Sequence, residues 1–197
     1  MGNAACAARE VGALVAAALS GALVFASPAY ACPAPTELRA TALDRHFTEE
    51  KFISGMSKPL TSEGRLTASA DEVVWHMTSP FDVKTIIAPS GITQSIDGGT
   101  ASPVAPGAAE MGAGVARSMA ALMRGQWEEL KTLFEVTLPA APAAGSWQVE
   151  LKPRDQRLQG VLGAITVHGC QDVSSVEIAR ADGDHETIHF DGASKAP

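Results

Sequence analysis

Several patterns are missing from this sequence, and each absence removes a class of function. There is no GxSxG, no glycine-rich phosphate loop and no CxxC. The nucleophile elbow of an α/β hydrolase, a P-loop nucleotide site and a dithiol redox centre therefore have no basis here. Basic residues are scarce: 15 Lys and Arg against 22 Asp and Glu leave a net charge of −7. Without a basic stripe, neither nucleic acid nor an anionic membrane surface is an expected partner. Cysteine is scarce as well, three in 197 residues, and no internal repeat is visible.

What is present begins with an uncharged apolar run of 16 residues from Val11 to Ala26. That is short of the ~20 residues needed to span a membrane. Ala29-Tyr30-Ala31 follows with the small-x-small pattern of a secretory cleavage site. Residues 1–31 are read as a signal peptide cleaved near Ala31, leaving residues 32–197 as one exported domain. Glu10 offsets Arg9 in the head of this segment, so a retained N-terminal anchor is the alternative. Cys32 and Cys170 survive processing, and in an oxidising compartment they allow one disulfide. Two unpaired thiols satisfy the sequence equally well. Cys32 could also be an acylated first residue, but Ala29 stands where a lipoprotein signal has leucine and bulky Tyr30 follows, which favours soluble release.

Strand periodicity dominates the remainder. Leu60, Gly64, Leu66 and Ala68 alternate with polar residues; Val73, Trp75 and Met77 alternate with Val74, His76 and Thr78 until Pro80; Val83, Thr85 and Ile87 carry a third run. Phe47 to Ile53 alternates poorly, as an edge strand does. Before it, Thr36 and Glu37 predict a helix reaching about Arg45. Ile92–Ile96 is a further short strand, and Thr100–Ala109 reads as loop. Strands return near Val136 and Leu138, at Trp147–Leu151, at Val161–Val167, at Val176–Ile178 and at Ile188–Phe190, with Asp182-Gly183-Asp184 as the last hairpin turn. About nine or ten antiparallel strands are expected.

One insertion changes period from two to 3.6. Met111, Val115, Met119, Leu122 and Met123 form one stripe of an amphipathic helix closed by Gly125, and Trp127, Leu130, Leu133 and Phe134 form a second, shorter one. The expected fold class is α+β: a strongly curved antiparallel sheet or incomplete β-barrel with helices covering the concave face. A stripe of this kind is either permanent core or a cover that lifts. Flexible methionines suit a replaceable guest, and Gly112 and Gly114 each weaken the helix by roughly 1 kcal/mol relative to alanine. The residues expected to line such a guest site are Leu66, Trp75, Met77 and Ile87 on the strands and Met111, Val115, Met119, Leu122, Met123 and Trp127 on the helices.

Catalytic signals are thin. His185-Glu186-Thr187-Ile188-His189 matches HExxH, whose chemistry needs two histidines one helical turn apart with a glutamate base between them. Here the string follows a DGD turn in a strand context, which opposes a zinc-hydrolase reading and keeps it a remote alternative. His168 beside Cys170 could suggest a thiol nucleophile, but no orienting Asn or Asp is identifiable. Asp182 and Asp184 flank a glycine as turn residues do. No enzyme activity, metal or cofactor is expected.

With the strands placed, the sequence resembles the LolA-type outer-membrane lipoprotein carrier family. The similarity rests on Phe47–Lys51, on Ser62-x-Gly64-x-Leu66, on Val74-Trp75-His76-Met77-Thr78-Ser79-Pro80, on the helix leading into Leu133-Phe134-x-Val136, on Trp147–Pro153 and on the final Asp-Gly-Asp hairpin. It spans about residues 38–190. The resemblance implies a monomeric periplasmic shuttle that carries acylated lipoprotein, or another lipid, from an inner-membrane donor complex to an outer-membrane acceptor. An envelope lipid sensor or assembly factor on the same fold is the nearer alternative. One departure stands out: better-known members have a basic residue, implicated in lid closure, in the turn before the tryptophan, whereas this chain has Ala68-Ser69-Ala70-Asp71-Glu72.

Overall fold

The computed structural model describes residues 32–38, 43–69, 72–104, 108–138, 146–160 and 162–191. Its strands are β1 (Leu43–Phe52), β2 (Leu60–Ala68), β3 (Val73–Ser79), β4 (Val83–Ala88), β5 (Gly91–Ile96), β6 (Ser102–Pro103), β7 (Phe134–Thr137), β8 (Trp147–Pro153), β9 (Leu162–Gly169), β10 (Val173–Arg180) and β11 (His185–Phe190). The helices are α1 (Ala108–Met123), α2 (Trp127–Leu130) and α3 (Gln156–Gln159). All strands join one open antiparallel sheet in the order β6-β5-β4-β3-β2-β1-β11-β10-β9-β8-β7. Hairpins account for most of this order, and the β1–β11 pairing stitches the two ends of the chain together.

Two expectations from sequence fail at the N-terminal end. Among the described residues, the segment predicted as a helix from Thr36 to Arg45 holds a 3₁₀ turn, Pro35–Glu37, and β1 already starts at Leu43. Leu43, Arg45 and Phe47 alternate into the core in register with Ala68, Leu66 and Gly64 of β2, so long-range pairing overrides the local helical preference. The tryptophan of α2 fixes the short turn, Trp127 Nε1 donating to Pro35 O at 2.9 Å. The second failure concerns the edge assignment: β1 is the middle strand of the sheet. Its alternation looked poor because Glu49 and Lys51 occupy the same face as buried Phe47. The remaining differences are smaller. The second helix ends at Leu130, and Phe134, expected on its apolar stripe, instead opens β7; a two-residue β6 lies in the predicted loop, α3 has no counterpart in the sequence reading, and the described residues form eleven strands.

The inner face carries the core. Phe47, Leu66, Val73, Leu130, Trp147, Val149, Leu151, Val167 and Val173 are all almost completely buried. Gly64 is required by this packing, because a Cβ there would sit 2.7 Å from the Phe47 ring and would strike the His76 carbonyl. Freed of that obstruction, Phe47 lies against Trp75 with ring centroids 4.1 Å apart. Trp147 meets Trp127 edge-on at 6.1 Å and donates to Cys170 O at 2.8 Å. At that end of the sheet Cys32 and Cys170 are joined, with Sγ atoms 2.03 Å apart.

Helix α1 ends at a left-handed Gly125, φ +68°. There Gly125 N–H donates to Leu122 O and Gln126 N–H to Ala121 O, satisfying carbonyls at the helix terminus. A side chain at 125 would also collide with Leu38. Among the described residues no helix is long and apolar enough to cross a membrane.

Candidate functional site

Helix α1 packs against β3, β4, β5 and α2, and it also borders the opposite half of the sheet. Ser118, Met119 and Leu122 of α1 face Leu151 of β8 and Ile165 of β9 across an apolar cavity. In the strand order β5 and β8 are eight spacings apart, about 38 Å in a flat sheet at roughly 4.8 Å per strand. A helix with its side chains is only about 10–12 Å across. A pocket lined by α1 on one side and by β8 and β9 on the other therefore brings the two halves of the sheet nearer than a flat sheet would.

The cavity between them, open on one side to solvent, measures about 240 Å³. Leu130, Leu133 and Phe134 close it from α2 and the start of β7, and Leu158 and Leu162 close it from α3 and the start of β9. The strand register explains why the floor is dry. Leu151 pairs with Ile165 and Ile165 with Ile178, all on the inner face, with Val149 and Val167 one pleat above. The period of two puts polar partners such as Glu150 and Thr166 on the other side of the sheet.

The sequence-predicted site residues fall into four groups. Met119 and Leu122 line the cavity. Leu66, Ile87, Met123 and Trp127 are buried in the packed core, while Trp75 and Met77 are half-buried on the inner face of β3, with Trp75 packed against that core. Met111 and Val115 belong to α1, but their side chains lie outside the described residues. Sequence reasoning missed Ser118, Leu130, Leu133 and Phe134 as lining, and likewise Leu151, Leu158, Leu162 and Ile165. The alternation at Trp147–Leu151 and Val161–Val167 signalled buried strands, but nothing local reveals that α1 reaches them.

At the far end of α1 a charged tether joins helix to sheet: Arg124 Nη2 donates to Ser69 O, at the end of β2, at 2.7 Å. On the outer face Arg65 grips Asp44 with both nitrogens, at 2.5 and 2.6 Å, holding that exposed carboxyl below the usual range through the Arg65 hydrogen bonds.

The HExxH string does not form a zinc-protease site. Residues 185–190 are strand β11, so His185 and His189 point outward while Glu186 points inward. His185 stacks on Phe52 at 4.5 Å. Among the described residues no three His, Cys, Asp or Glu converge as metal ligands. Cys170, bonded to Cys32, is no free thiol, and His168 Nε2 instead lies 3.4 Å from Glu177. Asp182 and Asp184 build the last turn, Asp184 N–H donating to Asp182 Oδ1 and Ser54 N–H to Asp184 Oδ1.

The LolA superfamily protein NE2245 from Nitrosomonas europaea superposes with a TM-score of 0.44 at 8% identity, covering 83% of this chain and 91% of the other. An outer membrane lipoprotein-sorting protein domain from Vibrio parahaemolyticus gives 0.35 at 12% identity, covering 76% of this chain and 83% of its own. No curated protein sequence matches the chain. The family described as outer membrane lipoprotein carrier protein LolA-like matches residues 36–197, nearly the whole described fold, and the chain therefore belongs to the LolA-like family.

Proposed function

We propose that this protein is an exported carrier that buries acyl chains of a lipoprotein or another lipid between α1 and the curled sheet and shuttles them towards the outer membrane. In this reading residues 1–31 are a signal peptide removed near Ala31, residues 32–197 are the carrier domain in the periplasm, and α1 with α2 covers the concave face as a movable lid. Delivery from an inner-membrane donor to an outer-membrane acceptor completes the cycle. The observation that carries the reading is the apolar cavity of about 240 Å³, walled on one side by α1 and on the other by β8 and β9.

Its size sets an expectation for affinity. At roughly 30 Å³ per water-sized group, the space takes about eight methylenes. At about 0.8 kcal/mol each, these supply roughly 6 kcal/mol, a dissociation constant in the tens of micromolar. A longer or multiple chain binds more tightly only by lifting α1 further from the sheet, which costs the contacts of α1 with β3, β4 and β5. Affinity should therefore rise with chain length up to about eight methylenes and more slowly beyond. Titration with fatty acids of increasing length, followed by displacement of a fluorescent fatty probe, tests this. A rise that never slackens, or no binding at any length, contradicts it.

A further inference from the structure

We propose that Glu49, Ser62, Glu186 and Arg180 form a polar station on the inner face that holds the head of an uncharged amphiphile whose chain occupies the apolar cavity. The head class is an acyl ester or amide bearing hydroxyl or N–H donors, as in a glyceride. This inference rests on the carrier reading above.

The strand register puts the station beside the cavity. Leu162, a lining residue, is the β9 partner of Arg180. The row Leu151–Ile165–Ile178 continues across the sheet into Glu186 and Lys51, and Glu49 and Ser62 lie opposite each other one pleat along. The inner face thus passes from hydrocarbon to hydrogen-bonding groups along a single row, as an amphiphile does along its length. Charged residues here are costly unless paired, and in a plain core strand leucine or valine would occupy these positions. Glu49 and Lys51 are the same two residues that break the alternation of β1.

The pairing is incomplete. Arg180 Nη2 binds Glu186 at 3.2 and 3.4 Å, and the Glu186 side chain is only 12% exposed. Arg180 Nε, in contrast, is buried with no acceptor among the described residues. Buried donors of this kind are rarely left unmade. Ser62 Oγ donates to Glu49 Oε2 at 3.1 Å, and burial pushes the Glu49 carboxyl above its ordinary range, with Glu186 adding to the effect.

These features select the head. The unpartnered Nε fits a single carbonyl oxygen, because Nη2, its neighbour on the same edge of the guanidinium, is already shared between both oxygens of Glu186. An anionic head would face Glu49 and Glu186; a cationic head would face Arg180 and Lys51. A neutral head gives its carbonyl to Arg180 Nε and its hydroxyl or N–H to Glu49.

The test compares binding of a monoacylglycerol with that of a 1-bromoalkane of equal chain length, which has no head, each measured by its displacement of the same fluorescent fatty probe. Wild type should prefer the glyceride by about tenfold, the worth of one to two hydrogen bonds. Glu49→Gln and Arg180→Met should lose most of that preference while binding the bromoalkane as before. Arg180→Lys, which keeps the charge but lacks Nε, should behave like Arg180→Met and separates donor geometry from charge if the methionine variant does not fold. A synthetic diacylglyceryl peptide in a parallel arm distinguishes a lipoprotein head from a free glyceride: the variants' loss appears with the peptide in the first case and with the glyceride alone in the second. Wild type binding both probes equally, or variants keeping the preference, overturns the station and leaves the carrier standing. Binding of no probe overturns both.

Discussion

Gly125 and Glu49 make opposite demands on the fold. At Gly125 the left-handed backbone and the proximity of Leu38 leave no room for a side chain, so Gly125→Ala should lower stability by about 1–3 kcal/mol, read as a reduced urea midpoint with unchanged slope. Glu49 is tolerated rather than needed by the fold. Because burial raises its carboxyl above the ordinary value of 4.5, the folded state binds a proton more readily than the unfolded state does. Linkage then makes stability fall as pH rises from that value through the folded-state pKa. Glu49→Gln removes this penalty: the variant should be more stable than wild type at neutral pH and should converge with it below pH 4.5. Urea unfolding across that range checks both limbs, and a wild-type curve that instead climbs with pH relative to the variant contradicts the sign.

Residues also decided what could be read in advance. Leu66, Trp75 and Met77 show their strands directly, because the alternate positions are polar, apart from Val74, and leave one consistent face. Glu49 and Lys51 hid the status of β1, since charges on an inner face imitate an edge. Where local rules misread a segment, function is a common cause, and here the misreading coincides with the polar station.

Among the elements, α1 is the one whose position governs the cavity. Its stripe and its glycine stop were legible from spacing. Its place in the pocket wall was not, because bringing Leu122 opposite Leu151 and Ile165 depends on the arrangement of the whole sheet, a non-local property. The Arg124–Ser69 tether holds the C-terminal end of α1 to β2. Arg124→Ala should leave the sheet intact and speed amide exchange along α1 by about five- to tenfold, the equivalent of about 1 kcal/mol for an exposed charge-assisted bond. Hydrogen exchange resolved by peptide reads this directly; unchanged exchange in α1 would remove the tether from the account. No sequence signal announced α3, a four-residue turn between β8 and β9, although its Leu158 closes one wall of the cavity.

At the scale of the whole molecule, the sheet has two unlike ends joined by one central pair of strands. The disulfide bridges residues 138 apart in sequence, anchoring the start of the described chain to the β9–β10 turn. By chain entropy such a loop is worth up to about 5 kcal/mol, so reduction or Cys32→Ser with Cys170→Ser should lower stability by about 2–5 kcal/mol while preserving the strand content seen by circular dichroism. The family assignment covers this whole assembly, and the carrier reading depends on the space inside it being available to a guest. Ile165→Trp would fill that space from the floor without adding charge. Competition binding of a fluorescent fatty probe to the wild type and to this variant is the most direct measurement. The account predicts micromolar binding by wild type and at least a tenfold loss in a cooperatively folded Ile165→Trp; equal binding by the two proteins would contradict it.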